Sequence, residues 1–263
     1  MAEYLSVLKM SVMEDDKKLL SLLEQERINS LINIIPKGFS TLLDIGARDG
    51  YISNLLSPYF KKVTALDLEK PRTAKENIIT VKGDVTQMEF PDNSFDVILC
   101  TEVLEHISPK LVDKACNEIM RVAKNFVVIG VPYKQDTRYG RTTCYSCKGK
   151  NPPWGHVNSF NEDKLKKLFG PLFLESISFV GRGGWGKTNV FSVLLMDLAG
   201  NPWGAYDQEQ FCLRCGKKLI PFLPDNRNVF QKVCSKVAYL LNNIYVHFTL
   251  SGPTWVHMVF KKR

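Results

Sequence analysis

No uncharged apolar run in this 263-residue chain approaches the roughly 20 residues that a membrane span requires. The opening Met1-Ala2-Glu3-Tyr4 lacks the basic-then-apolar pattern of a secretion signal, and the expectation is a cytoplasmic protein. Internal repeats are absent too, so the chain is not an array of stacked units. Acidic residues become scarce late in the sequence. From Arg214 onward nine Lys or Arg stand against Asp225 alone, and this asymmetry carries the net charge of +8. Such a basic region is suited to an anionic partner (nucleic acid, an acidic lipid surface or a phosphorylated substrate) or serves as a solvated face that maintains solubility.

What is present is the ordinary mix of a globular protein, 44% hydrophobic and 24% charged. The length fits one domain with a sizeable insertion. Apolar residues from Leu19 to Ile35 recur at helical spacing within a segment over roughly residues 13 to 35, which predicts an amphipathic helix ended by Pro36-Lys37-Gly38. Short apolar runs follow at Leu42–Ile45, Val63–Leu66, Ile78–Val81, Phe95–Leu99 and Phe126–Val131. Several are apolar almost throughout, as strands buried on both faces are, and the stretches between them have the length of crossover helices. The predicted fold class is α/β, a doubly wound, mostly parallel seven-stranded sheet. Further helices are predicted over Asn161–Phe169, Asn189–Leu198 and Asn226–Phe248, and further strands over Leu174–Val180 and Thr254–Phe260. The glycine-rich stretch Gly181–Gly186 is read as a flexible connection rather than a phosphate loop.

The strongest signal is Leu42-Leu43-Asp44-Ile45-Gly46-Ala47-Arg48-Asp49-Gly50, a buried strand entering a tight glycine turn. Glycine serves there where the backbone turns sharply or a ligand approaches the main chain. The turn lacks Gly-x-Gly-x-x-Gly, which argues against a nicotinamide-binding unit. Asp67 ends the second strand, where an acid can accept hydrogen bonds from both ribose hydroxyls of a nucleoside. Gly83-Asp84-Val85 ends the third, with an acid suited to an adenine amino group and an apolar neighbour suited to its ring. Phe95 to His106 forms a fourth strand opening into Glu102-Val103-Leu104-Glu105-His106. All four features fall at the carboxyl ends of strands, where open α/β sheets bind ligands. Taken singly, Asp44 also reads as a helix cap, and Asp67 and Asp84 as turn residues.

In order and spacing, residues 41 to 132 resemble the class I S-adenosylmethionine-dependent methyltransferases, in particular the type 11 group that is similar to ubiquinone- and menaquinone-biosynthesis enzymes. The resemblance implies that Asp44, Gly46, Ala47, Arg48 and Gly50 frame the methionine end of the cofactor. Asp67 and Leu68 would hold the ribose, Asp84 and Val85 the adenine, with Cys100 and Thr101 at the edge of the fourth strand. One departure is Arg48, which stands where the family pattern has its middle glycine; its side chain must point away from the cofactor or cap its carboxylate.

Cys144-Tyr145-Ser146-Cys147 and Cys212-Leu213-Arg214-Cys215 form a second constellation. Two Cys-x-x-Cys turns supply the four thiolates of a tetrahedral zinc site, and four sulfur ligands leave no open position, so this zinc would be structural. It would pin the basic loop after the fifth strand to the C-terminal region. A redox pair or unrelated surface thiols are the other readings. Cys100, Cys116 and Cys234 lie in apolar contexts that suit buried core thiols.

The candidate general bases are Glu102, Glu105, His106 and His156. His106 reads alternatively as a structural hydrogen-bonding group and His156 as a brace for the metal knuckle, whereas His247 and His257 read as structural. Tyr133, Arg138 and Trp154 are candidates for the acceptor pocket. The predicted organisation is an N-terminal helical segment (1–38), a cofactor-binding core (39–132), a basic lid loop (133–158) and the remainder of the α/β domain with a basic extension (159–263). The expected function is methyl transfer to a small-molecule or glycan acceptor. RNA or protein methylation through the basic tail, and a non-catalytic scaffold of the same fold, are the alternatives.

Overall fold

The computed structural model describes residues 22–263 apart from 74, 207, 209, 222–226 and 250–251. Helix α1 (Leu22–Ile34) buries Ile28 and Leu31; the predicted turns before Leu22 lie outside the described residues. The five predicted apolar runs all form strands: β1 (Thr41–Ile45), β2 (Lys62–Asp67), β3 (Ile78–Lys82), β4 (Phe95–Thr101) and β5 (Ala123–Pro132). Helix α2 (Tyr51–Leu56) follows β1, and α3 (Val112–Val122) connects β4 to β5. A two-stranded hairpin, β6 (Thr142–Thr143) with β7 (Lys150–Asn151), precedes α4 (Glu162–Leu168) and β8 (Phe173–Val180). Helices α5 (Val190–Leu198) and α6 (Val229–His247) and strand β9 (Trp255–Lys261) complete the order.

The main sheet has seven strands in the order β3-β2-β1-β4-β5-β9-β8. Strands β1 to β5 pair in parallel, while β9 runs antiparallel to both β5 and β8. Alternation along the strands sorts side chains into two cores. Val97 and Leu99 of β4 join Leu42, Val63, Val128 and Leu31 on the face covered by α1 and α2. Ile98 of β4 joins Leu43, Val127 and Met258 on the other face, against Ile119 of α3 and Phe169 after α4. A sheet apolar on both faces requires cover on both, which is the doubly wound arrangement. Asp96 fixes the register at the far end by accepting from Ser40 N and from Thr41 N and Oγ1.

Two expectations change. Residues 68–77 and 83–94, expected as helical crossovers, carry no described helix; Pro71 and Pro91 interrupt stretches too short for a stable one. The glycine-rich segment continues into Lys187-Thr188, so Gly181–Thr188 has the spacing of a phosphate-binding loop. Its fold is a different one. The Thr188 amide donates to Asp136 Oδ2 (3.1 Å), an anion already in place, and α5 begins only at Val190, capped by the Asn189 side chain. Nor is the segment loose, since Trp185 Nε1 donates to Thr254 O at 2.6 Å.

Helices α5 and α6 pack on each other beside the sheet, where Ser192 Oγ donates to Ala238 O (3.0 Å). The pair leaves Phe191, Leu194, Leu240, Ile244 and Phe248 exposed. No helix among the described residues is long and apolar enough to cross a membrane.

Candidate cofactor site and its neighbours

Where β1 ends, the chain makes a tight turn under the end of β2. Gly46 N and Ala47 N both donate to Leu66 O (2.8 and 3.1 Å), and Gly50 N to Ala47 O (2.7 Å). Gly46 (φ 79°) and Gly50 (φ 78°) occupy the left-handed region. A Cβ on Gly46 would also overlap the Val103 methyl Cγ2, so the turn abuts the loop after β4. Arg48, the departure from the family pattern, is itself left-handed (φ 49°). Its amide donates to Asp67 Oδ2 at 2.8 Å, and Glu69 N lies 3.4 Å from Oδ1.

The turn is thus tied to the acid at the end of β2, and Leu68 beside it is largely exposed. Asp84 lies one strand over, where Gly83 N bonds Asp67 O; its carboxylate accepts from Thr86 N (2.8 Å) while Val85 is buried beside Met88. Asp44 is enclosed beneath the turn and accepts from Ser53 Oγ of α2. Burial raises its pKa to about 7, with Ser53 opposing and Asp67 adding to the rise. Cys100 is enclosed in the core, as are Cys116 and Cys234, and burial pushes the Cys100 thiol well up. Thr101 packs against the space left by Gly130.

Beyond β4 the chain places two carboxylates side by side. Glu102 (φ 55°) accepts from Trp255 Nε1 at 3.2 Å, and its other oxygen is buried without a partner. Burial raises its pKa, with Arg27 and Trp255 opposing. Glu105 is fully enclosed, and burial followed by the neighbouring Glu102 charge drives its pKa well up. The rings of His106 and His156 meet edge to face at 4.6 Å, so the two candidate histidines are neighbours although 50 positions apart. Burial lowers both pKa values, His156 to about 3 with His106 contributing. Trp154, Trp185 and Trp255 form an aromatic wall, with centroids 5.6 and 6.0 Å apart along the row.

Tyr133 packs on Phe179 (5.0 Å) and lines a surface cavity with Gly181 and Pro253. The Arg138 guanidinium is engaged by Asp136 and by Thr188 O. His257 lies buried in β9 with Nδ1 2.9 Å from Ser30 Oγ, whereas His247 ends α6. The sequence reading missed Gln135, Trp185 and Trp255. Their contacts at the site reach across 21 to 153 positions, and no local pattern announces them.

The four paired cysteines converge, their sulfurs all within 4.8 Å of one another. Cys144 Sγ is 3.7 Å from Cys215 Sγ, and Cys147 Sγ is 3.6 Å from Cys212 Sγ. Gly149 N points at Cys147 Sγ (3.4 Å), and Lys148 and Gly216 take left-handed turns that curl each loop around its sulfurs. Leu213 N donates to Asn151 Oδ1 (2.9 Å), which joins the second knuckle to the β6–β7 hairpin.

Comparison with known proteins agrees with this geometry. Residues 43–128 match the methyltransferase domain family. YcgJ, an uncharacterized methyltransferase of Bacillus subtilis, is 33% identical over 93 residues, 32% of this chain and 36% of that protein. A sterol 24-C-methyltransferase of Yarrowia lipolytica is 35% identical over 86 residues, 30% of this chain and 22% of that protein. The chain therefore spans well under half the length of either relative. Among solved structures, a SAM-dependent methyltransferase from Archaeoglobus fulgidus superposes with a TM-score of 0.52 at 17% identity, covering 96% of this chain and 99% of that one. The N-methyltransferase NodS from Bradyrhizobium japonicum gives 0.53 at 14% identity, covering 92% and 97%. Residues 43–128 thus match a methyltransferase domain, and the sheet order and glycine turn around them belong to the Rossmann-like methyltransferase fold.

Proposed function

We propose that the chain transfers a methyl group from S-adenosylmethionine to a small-molecule or glycan acceptor. The observation that carries this reading is the joining of the glycine turn to Asp67 through the Arg48 amide. That bond fixes a carboxylate, with lone pairs remaining, at the edge where a ribose would lie. The residues fit the cofactor in two further respects: the left-handed glycines keep side chains off the turn, and Glu102 presents a buried, unpartnered oxygen beside it. S-adenosylmethionine, when bound, supplies a carbon already activated by its sulfonium. Asp67 would hold the ribose hydroxyls, Asp84 the adenine amino group, and the backbone from Gly46 to Gly50 the methionine end.

The chain's task is then orientation, bringing an acceptor atom in line with that carbon. Trp154, Trp185 and Trp255 would exclude water from the acceptor side. Glu102, His106 and His156 are the groups placed to orient the acceptor or take its proton. Residues 133–158 would act as the lid over this crevice. The four-cysteine cluster fits zinc by donor chemistry and spacing; we assign it a structural role, stapling the lid to residues 212–215.

A second reading, an RNA or protein acceptor, is favoured by the basic region from Arg214 onward. Lysate fractions screened with methyl-labelled cofactor, beside an Asp67→Ala control, test the assignment. Label entering a small-molecule or glycan fraction only with the unaltered protein is the expected result. Label confined to RNA or protein supports the second reading, and cofactor binding unchanged by Asp67→Ala overturns the ribose assignment.

A further inference from the structure

Glu105 is an unusual residue to bury. Its side chain is fully enclosed, and neither carboxylate oxygen has a hydrogen-bond partner in another residue. An unpaired buried carboxylate is costly, and the protein nevertheless builds around it. The amides of Val157 and Asn158 both donate to the Glu105 carbonyl (2.8 and 3.1 Å), and Asn158 Nδ2 clamps Leu104 O and Ile107 O (3.0 and 2.6 Å). These bonds draw the segment carrying His156 onto the loop after β4. Ligand atoms of Glu105, His106 and His156 consequently fall within 4.8 Å of one another.

The orientation of His156 is informative. Its Nδ1 is 2.6 Å from Gln135 Oε1, an oxygen that only accepts, so Nδ1 carries the proton and Nε2 keeps its lone pair. A ring N–H held by a second residue while the other nitrogen is free is the habitual arrangement of a metal-ligating histidine. Glu102, with one buried oxygen also unpartnered, stands beside Glu105. Arg27 lies over the Trp255 ring (5.7 Å) but forms no ion pair with either carboxylate. Three carboxylate oxygens without partners and a histidine Nε2 with its lone pair free thus gather in one place.

We propose that Glu105, His106 and His156 bind a divalent transition-metal cation, with Glu102 beside it and Gln135 fixing His156. One carboxylate and two imidazoles suit Mn2+, Fe2+, Co2+ or Zn2+ and, unlike the all-sulfur cluster, leave coordination positions for oxygen atoms of another molecule. Metal binding stands without the methyl-transfer reading; its role in chemistry rests on it. In that role the cation selects acceptors with a hydroxyl it can ligate and lowers the hydroxyl pKa. The hydroxyl gives its proton to the unpartnered oxygen of Glu102, its own oxygen forms the new bond to the methyl carbon, and the carbon–sulfur bond breaks to leave a neutral thioether.

The test is titration of the chelator-treated full chain with MnCl2, free Mn2+ being followed by electron paramagnetic resonance. Manganese is the probe because thiolate sites disfavour it. About one Mn2+ per chain is expected, with affinity at least tenfold weaker in Glu105→Gln and His156→Ala and more mildly reduced in Gln135→Leu. Mn2+ should raise the melting temperature of the unaltered protein and not that of Glu105→Gln. No bound Mn2+, or equal affinity in Glu105→Gln and His156→Ala, overturns the site. Asp67→Ala is expected to keep Mn2+ while losing the cofactor. Cofactor binding without Mn2+ therefore defeats the metal alone, and Mn2+ binding without methyl transfer defeats the function alone.

Discussion

The Arg48 amide donates to Asp67 Oδ2 across the ends of β1 and β2, so the residue that departs from the family pattern is also the one that positions the acid we assign to the ribose. The bond uses backbone and not side chain, which is why a residue other than glycine is tolerated. The cost is a left-handed φ of 49°. Arg48→Gly is expected to keep cofactor affinity within about threefold and to raise stability by about 1 kcal/mol. Arg48→Val, β-branched at positive φ, should lower stability instead. Calorimetric binding and denaturant melts of the two variants read both effects.

Removing the acid itself has a larger consequence. Asp67→Ala is expected to weaken cofactor binding roughly tenfold or more, since hydrogen bonds to a charged group contribute about 1.5–3 kcal/mol. Isothermal calorimetry measures it directly.

Gly46→Ala meets two obstacles, a left-handed φ and overlap with the Val103 methyl. It should destabilise the fold by about 2 kcal/mol or more and abolish cofactor binding. Pairing it with Val103→Ala removes the overlap but not the backbone strain. Partial recovery of melting temperature is therefore expected, and full recovery would show that φ is of no consequence there.

Asp44 makes stability depend on pH. Its folded pKa of about 7 lies above the ordinary 3.8, chiefly through burial, so the folded state holds a proton that the unfolded state has released. The contribution is complete below about pH 4 and is lost as the pH rises to 7. Asp44→Asn keeps an acceptor for Ser53 and never ionises. Its cofactor-free melting curve should vary less between pH 5 and 7, and at pH 8 it should be the more stable form by roughly 2 kcal/mol.

The cysteine cluster predicts about one zinc per chain by elemental analysis. Cys147→Ser should lose that metal and the protection of residues 142–151 from proteolysis. A metal-free protein with the same melting temperature as the isolated form would remove the staple.

Much of the architecture was readable because buried parallel strands announce themselves as apolar runs. Leu42–Ile45 and Val63–Leu66 came through within a residue at each end. That Asp67 and Asp84 lie at strand ends was readable because the apolar runs stop just before them. The four cysteines were readable by spacing alone. The glycine-rich stretch near Trp185 was misjudged as flexible because its anchor, Thr254 O, lies 69 residues away. Gln135 was missed for the same reason: a glutamine has no local signature that it will set the tautomer of a distant histidine.

Strand β9 follows every other described strand in sequence yet lies between β5 and β8. On the ribosome, both neighbours therefore wait with open edges until Trp255–Lys261 emerges, and the nascent sheet cannot be sealed earlier. The same insertion delivers the Trp255 indole to Glu102, so the site acquires one of its walls only after the other described strands have been made.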